Sequence, residues 1–390
     1  MISLVNTELG SEVIDWPVYM RRALDLAANV ITTSPNPRVG CVVVKDGSII
    51  GEGWHAAPGH AHAEVVALKA AGDNAEAAIV FVSLEPCSHT GRTGPCSEAL
   101  IQASVKRVVI AGIDPNPSVS GAGIKRLESA GIKVVHLIDF EAAARLINPG
   151  YFRRHETGLP YVRCKLATSL DGRTALASGA SKWITGIEAR ADVQRLRASS
   201  SAIITGINTV LADDPSLNVR SSELGFDEEE LERNKLVLEK QPLRVILDSK
   251  MQTPGTAKIL SVDGSVRIYT VVKPSLEKNH ASNVEIVQAQ QSAQRVNLQS
   301  MLESLASDCA CNEVLVEAGP TLSTAFIKSG LVDELIIYIA PKLLGSDAKP
   351  LVEITGLQSM SETTDFDIKD LAKVGNDIKV TLVPKHFSDE

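Results

Sequence analysis

Cysteine is scarce in this chain, six among 390 residues, too few and too dispersed for a disulfide-stapled scaffold. Membrane-length apolar runs are missing as well, since the stretch "ELIIYIAPKLL" at 334–344 stops short of a span. Residues 1–16, "MISLVNTELGSEVIDW", carry acids and lack the basic and apolar regions of a secretory signal. The expectation is a cytoplasmic protein with free thiols. Basic charge is in deficit, with 39 Lys and Arg against 47 Asp and Glu and a net charge of −8. No dense Lys/Arg cluster interrupts that balance, which argues against a surface that tracks nucleic-acid phosphates. There is no P-loop, no nucleophilic triad and no repeat at a fixed period. The dinucleotide fingerprint is incomplete: "GAGIKR" at 121–126 begins like one, but Arg126 stands where the third glycine belongs. That segment also follows a loop, "DPNPSVS", and reads as a helix start.

What is present describes an ordinary globular chain, 44% hydrophobic and 22% charged, long enough for two or three cores. Strand and helix patterns alternate through two halves. In the first, "DWPVYMRRALDLAANV" reads as a helix with Asp15 as N-cap and Pro17 in its first turn. "GCVVVKDGSIIGEGW" reads as a hairpin turning at Asp46-Gly47. Helices at "HAEVVALKAAG", "PCSEALIQA", "GIKRLESAG" and 139–147 alternate with strands at "AIVFVSL", "RVVIAG" and "KVVHL". The expected architecture is an α/β layered domain on a mostly parallel or mixed sheet, over residues 1–153. "RRHETGLP" reads as the linker (154–160), and a second α/β domain occupies 161–390. Its strands are expected at "YVRCKLATSL", "SAIITG", "LRVILD", "VRIYTVV", "VEIVQA", "EVLVEAG", "ELIIYIA" and "IKVTLV". The charge-rich insertion at 223–240 reads as a solvated surface excursion.

Chemistry concentrates in "GHAHAEVVAL" and "SLEPCSHTGRTGPC". His62, then Glu64 two residues on, then Cys87 and Cys96 follow in the order of a zinc deaminase signature: one His, two Cys and a Glu that is not a ligand. Two thiolates offset the charge of Zn2+, a neutral imidazole completes the protein donors, and one position stays open for water. The eight residues between the cysteines depart from the usual C-x-x-C. A structural zinc with His60 or His89 as fourth ligand is the alternative. Cys41, Cys164, Cys309 and Cys311 read as packing residues or inert thiols. In the second half, the strand–turn–helix patterns around Gly206 and Gly319–Thr321 read equally as phosphate cradles or as ordinary turns.

The segments "TTSPNPRVGCVVVKDGSIIGEGWH", "HAEVVAL" and "SLEPCSHTGRTGPC" resemble the bifunctional deaminase/reductase (RibD) family of riboflavin biosynthesis, in which the wide Cys-x8-Cys loop is the normal form. "KLATSLDGRTAL", "SKWITG", "TVLADDPSLNVR", "VEAGPTL" and "DELIIYIAPKLLG" resemble its reductase half. The resemblance implies a cytidine-deaminase-like α/β/α domain followed by a dihydrofolate-reductase-like α/β domain, with zinc and NADPH as cofactors. Glu64 would be the proton shuttle and His62, Cys87 and Cys96 the zinc ligands. Asn36, His55, His89 and Arg92 would contact substrate, although His89 and Arg92 also read as solvated loop residues. Ala167, Trp183, Thr209, Asp213 and Ser249 would line the NADPH site, together with the turn Gly319, Pro320, Thr321, Leu322, Ser323, Thr324 and Ala325. Ser181, Arg197, Leu217, Arg220 and Glu317 would meet substrate, the two arginines as phosphate ligands, with Lys165 polarising or protonating the sugar and Asp171 beside the cofactor or serving only its turn. The implied partners are a phosphorylated pyrimidine and a second copy of the chain through the reductase domain, with neither nucleic acid nor membrane. A different nucleobase deaminase fused to an unrelated oxidoreductase is the competing reading.

Overall fold

The structure is a computed structural model that describes residues 15–88, 94–273 and 282–385. The chain divides into two compact units, Met1–Glu156 and Thr157–Glu390.

In the first unit α1 (Trp16–Ala27) precedes the hairpin β1 (Gly40–Lys45) and β2 (Ser48–Trp54). Next come α2 (Ala63–Ala71), β3 (Ile79–Val82), α3 (Cys96–Gln102), β4 (Arg107–Ile110), α4 (Ala122–Ser129), β5 (Lys133–His136) and α5 (Glu141–Ile147). The hairpin turns where the sequence places it, with positive φ at both Asp46 and Gly47, the conformation of a type I′ turn. The strands form one mixed sheet in the order β2-β1-β3-β4-β5; β1 runs antiparallel to both neighbours, and β3, β4 and β5 run parallel. Side chains alternate across it. Cys41, Val43, Val80, Val82, Val108 and Ile110 pack under α2, α3 and α4, while Val42, Val44, Phe81 and Val109 pack under α1 and α5. Both faces are therefore covered, which is why the strands read as continuous apolar runs.

The hairpin carries the helix that bears the first site. An added Cβ at Gly51 would lie 2.2 Å from the Ala67 carbonyl oxygen, and one at Gly53 would lie 2.6 Å from that of Ala63. Two glycines on one strand face thus let α2 settle almost backbone to backbone on β2.

The second unit holds a nine-stranded sheet. Its order is Val284–Gln288, Val266–Thr270, Leu243–Leu247, Ala202–Gly206, Glu313–Val316, Tyr161–Ser169, Glu334–Ala340, Asp377–Pro384 and Phe366–Val374. The first seven run parallel, and the last two form an antiparallel hairpin on the edge. No helix among the described residues is long and apolar enough to cross a membrane.

Four details differ from the sequence reading. The Asp15 side chain makes no capping hydrogen bond, although Pro17 lies in the first turn. Helix α6 (Pro149–Thr157) runs through the start of the stretch read as a linker. Within 223–240, Glu228–Leu238 is a helix closed by a reciprocal capping box between Asp227 and Glu230, with Asn234 buried. Cys41, Cys164 and Cys311 are buried, but Cys309 is half-exposed and its hydrogen bond with Cys311 lowers its thiol to about 7.

Gly51→Ala is expected to destabilise the first unit by about 1–3 kcal/mol, because the methyl group has no room against the Ala67 carbonyl. The denaturation midpoint measures this, and an unshifted midpoint would mean that α2 moves away without cost.

Candidate functional site

His62 occupies the N-cap position of α2, Cys87 follows the end of β3, and Cys96 is the first residue of α3. The Cys96 N–H donates to the Cys87 sulfur at 3.4 Å and the Ser97 N–H to the Cys87 carbonyl at 3.1 Å, so the start of α3 grips Cys87. His62 Nδ1 lies 3.2 Å from the Cys96 sulfur and 3.6 Å from that of Cys87. All three ligand atoms fall within 4.8 Å of one another. A tetrahedral zinc with Zn–N near 2.0–2.1 Å and Zn–S near 2.3 Å separates nitrogen from sulfur by about 3.6 Å, so this donor set fits zinc. Among the described residues no fourth His, Cys, Asp or Glu joins the cluster, and His60 is exposed and outside it. His89 and Arg92 lie outside the described residues.

Glu64 follows His62 into the first turn of α2 and is buried. Burial first, and then the neighbouring Cys87 thiolate, push its carboxyl up to about 7. Cys87 is the more acidic sulfur, held down to about 4 chiefly by the hydrogen bond from the Cys96 thiol; that sharing pushes Cys96 up. His55 is buried, with Nδ1 3.1 Å from the Ala61 carbonyl and Nε2 3.0 Å from Asn36 Nδ2. The carbonyl requires a proton on Nδ1, which leaves Nε2 to accept from the Asn36 amide. Burial lowers His55 to about 4, so the ring is neutral. The His55 and His62 rings meet in a T-shaped contact, 5.1 Å between centroids. Asn36 and His55 are thereby brought beside the metal set.

In the second unit the expected residues gather at the C-terminal ends of the parallel strands, where ligands bind in open α/β sheets. Gly319, at the start of helix Pro320–Lys328, donates its N–H to Thr209 Oγ1 at 3.3 Å, and Thr209 lies in the first turn of helix Ile207–Asp213. Two helix N-termini thus stand side by side. Within 319–325 the hydroxyls differ in use: Ser323 and Thr324 are buried and bonded to the main chain at Ala318 and Glu353, whereas Thr321 is exposed and donates to the Glu353 carboxylate. Pro320 and Leu322 lie in the first turn of helix Pro320–Lys328 and Ala325 in its second. Ser249 follows strand Leu243–Leu247, and its hydroxyl accepts from the Val296 N–H at 3.2 Å. Asp213 is exposed at the end of its helix. Trp183 is 65% exposed, with the Arg190 guanidinium 4.6 Å over its ring. Ser181 lies half-buried two residues before it.

Strand Tyr161–Ser169 carries Lys165 and Ala167 past the end of strand Glu313–Val316, since Cys164 pairs with Val316. Lys165 then faces Glu317: its ammonium lies 3.4 Å from Glu317 Oε2. Arg197 grips the same carboxylate with two donors, at 2.5 Å to Oε1 and 3.0 Å to Oε2. Its third contact, to the Asn218 carbonyl at 3.2 Å, leads to Arg220, whose guanidinium reaches the Asn218 side chain at 3.3 Å and clasps Glu223 at 2.6 and 2.7 Å. Leu217, buried with φ 46, shapes the turn between them. Asn218 was not singled out from sequence, although it lies inside "TVLADDPSLNVR". Asp171 accepts from the Leu344 and Gly345 main-chain N–H groups, tying down its turn.

Comparisons with known proteins agree with both halves. Residues 16–112 match the cytidine and deoxycytidylate deaminase zinc-binding region, and residues 160–380 match the RibD C-terminal domain. The chain is 46% identical to the riboflavin biosynthesis protein RibD of Escherichia coli (strain K12), covering 94% of this chain and 98% of that one. A solved Acinetobacter baumannii RibD is 44% identical, with a TM-score of 0.84 over 95% of this chain and 98% of its own. The diaminohydroxyphosphoribosylaminopyrimidine deaminase/5-amino-6-(5-phosphoribosylamino)uracil reductase of Thermotoga maritima is 30% identical, with a TM-score of 0.79 over 94% and 98%. With a zinc-type donor set in one unit, a reductase fold in the other and near-complete coverage of both, the chain belongs to the RibD family of bifunctional deaminase/reductases of riboflavin biosynthesis, with zinc and NADPH as its cofactors.

Proposed function

We propose that the first unit hydrolytically removes the 2-amino group of 2,5-diamino-6-(5-phosphoribosylamino)pyrimidin-4-one, and that the second reduces the ribosyl side chain of the product to ribityl. The observation that carries the first step is the three-donor cluster with Glu64 buried beside it yet outside the donor set. His62, Cys87 and Cys96 would hold the zinc, which when bound would acidify the attacking water to a pKa of about 7. Glu64 takes the proton from the attacking water and delivers it to the departing amine, so that water and the C–NH2 group become C=O and ammonia. His55, neutral and fixed in one tautomer, sets the Asn36 amide for the substrate. His89 and Arg92 are assigned to substrate by family resemblance alone, with Arg92 suited to its phosphate.

For the second step Ala167, Trp183, Thr209, Asp213, Ser249 and the Gly319–Ala325 turn would hold NADPH, which would supply the hydride. Reduction would form a C–H bond at C1′ of the ribosyl group as its C1′–O4′ ring bond breaks, and Lys165 gives a proton to the departing O4′. Glu317 holds that ammonium in place. Despite its burial, Arg197 first and Lys165 second keep its carboxyl down at about 2. Because Glu317 already occupies the Arg197 fork, Arg197 serves by fixing Glu317. The more exposed Arg220 is the better phosphate ligand, exchanging Glu223 for substrate. Ser181 and Leu217 complete the substrate wall. The domain limits proposed are 1–153 and 161–390. The enzyme acts in the cytoplasm, without nucleic acid or membrane, as a homodimer through the reductase unit. Exposed Ile368 and Leu371 on the edge strand Phe366–Val374 support that pairing.

Glu64→Gln is expected to lower deamination by about 10²–10⁴-fold while zinc per chain and reduction of supplied deaminated substrate persist. Zinc loss in this variant would instead make Glu64 part of the structural site. Lys165→Met should abolish reduction but leave NADPH binding, followed by nicotinamide fluorescence, intact; retained turnover would remove Lys165 from the chemistry. The depressed Glu317 carboxyl contributes stability that is present above its ordinary 4.5 and is lost as pH falls toward 2. That contribution is about 3 kcal/mol. Acid unfolding of Glu317→Gln should therefore be less steep between these values, and an unchanged slope would refute the linkage.

A further inference from the structure

The glycine-bearing start of α4, passed over as a dinucleotide fingerprint, is an anion cradle whose occupant comes from the chain itself. Gly121 and Asp114 donate their N–H groups to Glu85 Oε2 at 3.0 and 3.4 Å. Gly123 and Ile124 donate to Oε1 at 3.0 and 3.2 Å. A helix N-terminus offers unpaired N–H groups and partial positive charge, and here a carboxylate only 4% exposed satisfies both. A second contact grips the next residue. A Cβ on Gly123 would stand 1.9 Å from the Pro86 carbonyl oxygen, so only glycine lets α4 press against that peptide. The Glu85 N–H also donates to the Gly112 carbonyl at 2.9 Å. Residues 85 and 86 are thus clamped by side chain and main chain immediately ahead of Cys87.

We propose that Glu85 is a positioning residue for the zinc centre: seated on the N-terminus of α4, its carboxylate holds the main chain that presents the Cys87 sulfur. This rests on the reading of Cys87 as a zinc ligand. Groups one step removed from a metal, which orient its ligands, typically change affinity by about 10–100-fold when replaced. Glu85→Gln keeps the volume but turns an NH2 group toward two N–H donors, and so unseats the side chain. Glu85→Asp keeps the charge and shortens the reach.

Zinc affinity of the full-length chain, measured by competition with a chromogenic chelator, tests this. The expected order is parent, then Glu85→Asp, then Glu85→Gln, the last weaker by about 10–100-fold. Leu127→Ala, in the buried face of the same helix, provides the contrast: it opens a cavity and lowers the melting temperature, yet should leave zinc affinity unchanged. Parent-like affinity in both Glu85 variants would overturn the proposal. So would an equal loss in Leu127→Ala, which would show that general loosening of α4 is enough. Cys87→Ser separates the two readings: if it too retained zinc, the ligand assignment itself would fail, whereas its loss beside an unaffected Glu85→Gln would refute only the positioning role.

Discussion

Everything in the first site depends on how closely α2 lies on the β1–β2 hairpin. His62 stands at the cap of that helix and Glu64 in its first turn, so any lift of α2 would move imidazole and carboxylate together. The glycines at 51 and 53 remove the side chains that would otherwise hold helix and strand apart. From the opposite side, α3 begins at Cys96 and donates two N–H groups to Cys87. Two helix starts therefore meet, one presenting an imidazole and the other one sulfur of its own while it grips the second on Cys87.

Three buried glutamates show how surroundings rather than residue type decide what a carboxylate does. Glu64 is buried next to a thiolate, and both effects favour its protonated form, as suits a group that must take up and release a proton. Glu317 is equally buried but lies between Arg197 and Lys165, so it remains ionised and anchors the ammonium. Glu85 meets four main-chain N–H groups and binds two parts of the fold to each other. The first moves a proton, the second places a cation and the third places a backbone.

Much of the architecture was legible beforehand because strands covered on both faces read as apolar runs and because Asp46-Gly47 specifies its own turn. The strand Phe366–Val374 was not legible. It lies on the sheet edge with most of its side chains in solvent, and "FDIKDLAKV" shows neither a buried run nor a clean alternation. Helix α6 was obscured by the polar run that its end shares with the supposed linker. The 223–240 insertion was correctly placed as charged, but its capping box needed the Asp227–Glu230 pair to be noticed as a helix start.

By itself the sequence determined the chemistry: which donors exist, in what order, and that a His-x-Glu and two cysteines suit zinc. The tertiary structure alone decided which of the charged groups face each other. Lys165, Arg197 and Glu317 are joined only because strand register sets residue 165 beside the end of another strand. Likewise Glu85 finds its cradle across 36 residues of chain. Local pattern encodes residue type and periodicity, whereas a contact between distant segments depends on sheet order and register, which no short stretch contains.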